Sequence, residues 1–134
     1  IYTPRTLFPT RRSSDLNALT QPTALDQARQ LLESTRRLVQ TSDDPYVISR
    51  FGDWQIRVEV AAALLEYAQT HPTPVAVTEA QIAAAEALLF ASAAEFELTG
   101  QRTALAPTLE DPLRWKYQIV GNYHLNGVAP GSAV

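Results

Sequence analysis

The chain has 134 residues, a net charge of −3 and a pI near 5.3, with no cysteine and no methionine. That is one domain's length, enough to bury roughly two thirds of the unfolded surface. It excludes disulfide scaffolds, cysteine-ligated zinc and thiol chemistry, and the acidic balance argues against a nucleic-acid partner. No run approaches about 20 consecutive apolar residues, so no membrane span is expected. Beginning at Ile1 without any methionine, the chain is expected to be a processed product or a piece of a longer protein.

Residues 1–16, IYTPRTLFPTRRSSDL, carry two prolines, three arginines and a Ser-Ser pair without a period of 3.6 or 2. They lack the apolar centre of a signal peptide. The stretch reads either as a disordered tail or as translated sequencing-adapter read-through, which PTRRSSDL resembles. We therefore set 1–22 apart from the fold as a disordered or artefactual segment. Arg5, Arg11, Arg12 and Asp15 fall within the first sixteen, so the remainder carries 8 basic and 13 acidic side chains, net −5.

Four helices follow, together expected to span 23–130, with 131–134 as a tail. Thr23 with Asp26 approximates a capping box, and Leu25, Ala28, Leu31, Leu32, Thr35, Leu38 and Val39 recur at helical spacing to about Gln40. Arg29, Glu33 and Arg37 lie four apart on another face. Asp44-Pro45 supplies a cap and a first-turn proline for a second helix. There Val47, Phe51, Trp54, Val58, Ala61, Leu65 and Ala68 step by three and four over roughly 37 Å. Gly52 costs about 1 kcal/mol against alanine in mid-helix and suggests a close approach by another backbone or a ligand. His71-Pro72-Thr73-Pro74 ends this helix.

A capping box at Thr78-Glu79-Ala80-Gln81 is expected to open the third helix. Ile82, Ala85, Leu89, Ala93 and Phe96 form its predicted inner stripe, with Leu88, Ala91, Glu95 and Leu98 on a second apolar side, and Gly100 closes it. After the linker 101–110, Asp111-Pro112 repeats the Asp-Pro start. Leu113, Tyr117, Val120, Gly121 and His124 mark one stripe of the fourth helix and Trp115, Ile119 and Asn122 another. Gly127 and Pro130 end it. Alternating strand patterns are lacking, so the predicted fold is all-α, a four-helix up-and-down bundle with short connections.

Self-contained chemistry is sparse. His71 and His124 lie in different elements with no carboxylate at ligand spacing, so no metal site is expected. Their bland readings are a solvated helix-end histidine and a packed or surface histidine. No Gly-x-Ser-x-Gly and no phosphate loop occurs. Arg50, Asp53 and Arg57 form a charge ladder, read as a solvated ion-pair face ahead of an anion site. Asp111 is explained by capping; Glu110 is not, and it stands at a loop–helix junction.

Three segments, in order, resemble one family. Asp111-Pro112-Leu113-Arg114-Trp115-Lys116-Tyr117 and Val120-Gly121-Asn122-Tyr123-His124-Leu125-Asn126-Gly127-Val128-Ala129-Pro130 are similar to HDPVRWKYHxIGNYxLNGVAP. Residues 44–66 are similar to DPYVIxxFGxxQIRxxxAxALLE, and Phe96-Glu97-Leu98-Thr99-Gly100 to FELxGT. These patterns belong to the acyl-CoA dehydrogenase-like flavoproteins, in the branch of the sulfur-acquisition oxidoreductases and the dibenzothiophene monooxygenase. The resemblance covers about residues 25–130. It implies a C-terminal four-helix domain whose N-terminal and middle domains are missing here. In the complete protein it implies flavin (FMN or FAD), a homotetramer and a cytoplasmic location, with no nucleic-acid or membrane partner. None of the flavin is expected to stay with the isolated chain.

The resemblance also implies site residues. Glu110 stands where the branch has a histidine facing flavin and substrate, and by analogy with the dehydrogenases' glutamate base it is the catalytic candidate. Lys116, Tyr117, Asn122 and Tyr123 are the candidate cofactor-binding residues. The linker Gln101–Pro107 is shorter and more apolar than the family's Arg-, Trp- and His-rich segment, and Gly131-Ser132 departs from its basic, aromatic tail. Reduced-flavin oxygenation of a sulfur compound and α-proton abstraction with hydride transfer are the two chemistries implied, oxygenation being the first choice. The alternative is a free-standing helical interaction or dimerisation module without catalysis.

Overall fold

The structure is a computed structural model and describes residues 23–106 and 112–131. The segment 1–22, Glu110, Asp111 and the last residues of the tail lie outside the described residues. Regular structure among the described residues is entirely helical: α1 (Ala24–Val39), α2 (Pro45–Thr70), α3 (Pro74–Thr99) and α4 (Leu113–Asn126).

Local chemistry accounts for the boundaries. Thr23 Oγ1 accepts the Asp26 N–H at 3.1 Å while the Thr23 N–H donates to Asp26 Oδ2 at 3.3 Å, a reciprocal capping box. Asp44 Oδ1 accepts the Tyr46 N–H at 2.9 Å with Pro45 in the first turn. The third helix begins five residues earlier than its sequence pattern suggested, capped by Thr73 rather than Thr78. Thr73 caps it by accepting the Ala76 N–H at 3.2 Å, and Thr78, inside the helix, donates its hydroxyl to the Pro74 carbonyl at 2.9 Å. Extended Thr73 and the preset φ of Pro74 outcompete the downstream box. Gly100 and Gly127 adopt left-handed φ of 75° and 71°. At the latter, the Gly127 N–H returns to the Tyr123 carbonyl at 3.0 Å, an αL closure, and the Val128 N–H reaches the Asn122 carbonyl at 3.2 Å.

The core lies between α1, α2 and α3. Leu25, Ala28, Leu31 and Leu32 of α1 meet Trp54, Val58 and Ala61 of α2 and Ala87, Ala91 and Ala94 of α3. Trp54 is wholly enclosed at 0 % exposure. Ala68, Ala76 and Ala80 form a smaller cluster beside the α2–α3 turn. Here too the third helix corrects its predicted pattern. Its inward side is Ala76, Ala80, Ala87, Ala91, Ala94 and Glu95, whereas Leu89, Ala93 and Phe96 of the expected inner stripe are exposed. Alanine lets the backbones of α1 and α2 come close, which bulky Leu89 and Phe96 would prevent. Leu38 and Leu65 are likewise exposed rather than buried. Nothing lies within 4 Å of a side chain built at Gly52, so the expected close approach is not seen among the described residues.

The contacts also give the helix directions. Arg50 near the start of α2 bonds Glu97 near the end of α3, while Ala68 at the far end of α2 meets Ala76 and Ala80. These two helices are therefore antiparallel. Val39 faces Val47 and Phe51 while Leu25 lies by Leu65 and Ala68, so α1 and α2 are antiparallel too. The principal partner of α4 is α3. With 26 residues and a mean hydropathy of 1.3 over its most apolar stretch, α3 is long and apolar enough to cross a bilayer. Core helices of water-soluble proteins meet the same measure, and its alanine side is packed against α1 and α2.

Two outcomes test this packing. Thr73→Ala should cost about 1 kcal/mol in urea unfolding, against less than about 0.5 kcal/mol for Thr78→Ala; equal effects would contradict the observed start. Thr35, 1 % exposed, buries a hydroxyl with no hydrogen-bond partner among the described residues. Thr35→Val removes that unpaired group and should be neutral or stabilising by up to about 1 kcal/mol, read as a raised urea midpoint.

Candidate functional site

The cofactor-binding candidates lie on α4, so its placement decides what they can reach. Leu113, Val120 and Lys116 turn toward α3, and Lys116 is the buried residue of this helix, 6 % exposed. An ammonium is seldom buried without polar company, and Lys116 makes interactions within the fold. Seven residues on, Tyr123 shares its side and is exposed, with its ring edge-on to His124 at 5.1 Å. Tyr117 lies about 100° round the helix and Asn122 about 120° the other way. The four candidates thus occupy three sides of α4. One planar ligand against one side reaches two of them.

Tyr117 and Asn122 have polar partners within the protein. The Tyr117 hydroxyl donates to the Glu86 carboxylate on α3. This bond, followed by burial, raises the phenol's pKa above its ordinary range. Asn122 Oδ1 accepts from Asn126 Nδ2 at 2.9 Å. His124, read as a packed or surface histidine, is exposed and sets Nε2 2.9 Å from Glu79 Oε2. His71 stacks on Tyr67, ring centroids 4.3 Å apart, at the exposed end of α2. Glu110, the catalytic candidate, lies outside the described residues.

The charge ladder of α2 is half solvated pairing and half tertiary clamp. Arg57 Nε meets Asp53 Oδ1 at 2.9 Å along the helix, as its spacing implied. Arg50 crosses to α3 and bonds Glu97 Oε1 at 2.6 Å. Both guanidinium groups lie over the Phe90 ring, 4.3 and 4.6 Å from its centre. Bonding from Tyr46 and then from Arg50 lowers the Glu97 carboxyl's pKa, while Glu97 in turn raises that of the Tyr46 phenol. Each guanidinium already has a carboxylate, so the cluster joins α2 to α3.

Sequence reasoning also missed the role of Glu95. Buried at 4 % exposure, its carboxylate accepts the Thr103 N–H at 2.8 Å and the Thr103 hydroxyl. The Ala106 N–H donates to Gln27 Oε1 at 3.0 Å, and Arg102 lies over Phe96. The short linker after α3 is therefore held down by α1 and α3. No local pattern marks these partners, which stand eight and 79 positions apart.

Two clefts of about 290 and 190 Å³ open at the ends of the α1–α2 pair. Neither includes Lys116, Tyr117, Asn122 or Tyr123. Among the described residues no three His, Asp or Glu side chains gather as a metal site. What stands out is apolar surface. Gly52, Ile56, Val60, Ala63 and Tyr67 make one solvent-facing stripe on α2, with Ile56 63 % exposed. Leu89 and Phe96 continue this character on α3, and Trp115, Ile119 and Leu125 on α4, the last 83 % exposed.

No protein-family model, curated protein or solved structure matches this chain.

The Tyr117–Glu86 bond has a pH signature. A phenol whose folded-state pKa is raised stabilises the fold below its unfolded value, about 10. That contribution is lost as pH climbs through the higher folded value. Thermal unfolding between about pH 9 and 12 should therefore fall more steeply for the parent chain than for Tyr117→Phe. Parallel curves would show that the bond is absent in solution.

Proposed function

We propose that this chain is the C-terminal helical domain of an acyl-CoA dehydrogenase-like flavin-dependent oxidoreductase. Within that reading it is an up-and-down four-helix bundle of a cytoplasmic, homotetrameric enzyme. The favoured activity is reduced-flavin-dependent oxygenation of a sulfur compound. One observation carries the reading: helices whose inner sides are complete leave apolar stripes on their outer sides, through Ile56, Val60 and Tyr67 on α2 and Trp115, Ile119 and Leu125 on α4. Exposed large apolar side chains gathered on outer sides mark interaction sites. The ordered motifs at 44–66, 96–100 and 111–130 say which neighbours it would meet.

A flavin fits one side of α4 only in part. Trp115 and Ile119 offer aromatic and aliphatic wall on the less covered side, with Tyr123 at its edge, as cofactor pockets require. Tyr117 faces elsewhere, with its hydroxyl on Glu86. FMN or FAD, when bound, supplies the redox chemistry and the protein supplies orientation and exclusion of water. Here α4 contributes one wall, and the other domains and subunits contribute the rest. Glu110, at the family's histidine position, is the residue proposed to handle a proton.

Two measurements test this. Genomic DNA upstream of the Asn17 codon should continue in frame into a β-rich flavin-binding region. An in-frame start codon there, without such an extension, would overturn the reading in favour of a free-standing interaction module. The isolated chain, mixed with excess FMN or FAD and desalted, should keep no visible flavin absorbance, since most of the cleft belongs to other parts. Stoichiometric retention would contradict the shared cleft.

A further inference from the structure

Helix α4 packs on α3 with few buried side chains. It buries Lys116 alone, and the surface beneath it on α3 is built largely of alanine and aliphatic groups. Apolar contact of this kind is non-directional and changes little when one helix slides along another. Lys116 has interactions of its own within the fold; beside them, two directional polar contacts to α3 come as a matched set. Tyr117 and His124 are seven apart on α4, and they bond Glu86 and Glu79, also seven apart, on an antiparallel α3.

We infer that Glu79 and Glu86 are positioning residues that set the register of α4 on α3 by bonding His124 and Tyr117. The alternatives show why. A slide of one turn in either direction would bring Tyr117 to Ile82 and Ala83 or to Leu89 and Phe90. It would bring His124 to Val75 and Ala76 or to Ile82 and Ala83. None of these side chains accepts a hydrogen bond, so both pairs fail together. A slide of two turns keeps one pair and strands the other group at Ala93 or Pro72. Two carboxylates in an apolar row thus act as a two-point code, as a lone polar residue fixes register in a coiled coil.

The code also determines orientation. With Tyr117 and His124 held on α3, Trp115, Ile119 and Asn122 turn away from it. This follows from the two pairs alone and does not depend on the flavin reading.

The chain has no cysteine, so introduced thiols report without ambiguity. The observed register sets Val120 opposite Ala83, while a one-turn slip brings Leu113 opposite Ala93. The pair Ala83→Cys with Val120→Cys should cross-link readily under mild oxidation, and Ala93→Cys with Leu113→Cys should not. Adding Glu79→Leu and Glu86→Leu should slow the first cross-link by about tenfold, the loss expected for two modest hydrogen bonds, and bring in the second. Reciprocal exchange (Glu86→Tyr with Tyr117→Glu, and Glu79→His with His124→Glu) should restore the first pattern, which a merely local packing role would not do. Unchanged cross-linking in the leucine variant would overturn the inference. So would an exchange variant of normal helical content that fails to restore the first pattern.

Discussion

The close approach of α1 and α2 to the alanine side of α3 is the constraint on which the rest of the molecule depends. Ala76, Ala80, Ala87, Ala91 and Ala94 add almost no thickness to that side. Helix axes normally pack 8–10 Å apart according to the side chains between them, and alanine favours the short end. The leucines of α1 and Trp54 of α2 then fill the space that remains. Larger residues on this side of α3 would push both neighbours outward and open the enclosure around Trp54.

That arrangement has a consequence for the outer surface. Because α3 spends its smallest residues on the core, Leu89 and Phe96 are left facing out, and α2 likewise presents Ile56, Val60 and Tyr67. The interior is complete without them. Polar groups therefore do the specific joining between helices: Arg50 to Glu97 across α2 and α3, Glu95 to Thr103 at the linker, and Tyr117 and His124 to two glutamates of α3. Apolar packing supplies adhesion. These directional contacts supply alignment.

Much of the helical architecture was legible locally. The Thr23–Asp26 box, the Asp44-Pro45 start and the glycine ends at 100 and 127 depend on groups a few residues apart, so their spacing in the chain suffices to reveal them. The start of α3 was misread because two threonine caps compete within one turn and a half, and only the backbone conformation at Thr73 and Pro74 decides between them. Its inner side was misread because two apolar sides satisfy the same period. The candidate site fared similarly. Helical spacing located Tyr117 and His124 on one stripe, but their glutamate partners lie 31 and 45 positions away with no local mark.

By itself, then, the sequence determined the number and type of elements among the described residues, most of their ends and the acidic, cysteine-free character of the chain, because all of these are set by composition or by interactions within a turn or two. Only the tertiary structure decided which side of α3 is core, that Arg50 leaves its ladder for Glu97, that Glu95 is buried on the linker, and how α4 is seated. Those outcomes turn on how closely two backbones can approach and on which distant polar groups then come within hydrogen-bond reach. No pattern confined to a single helix carries that information.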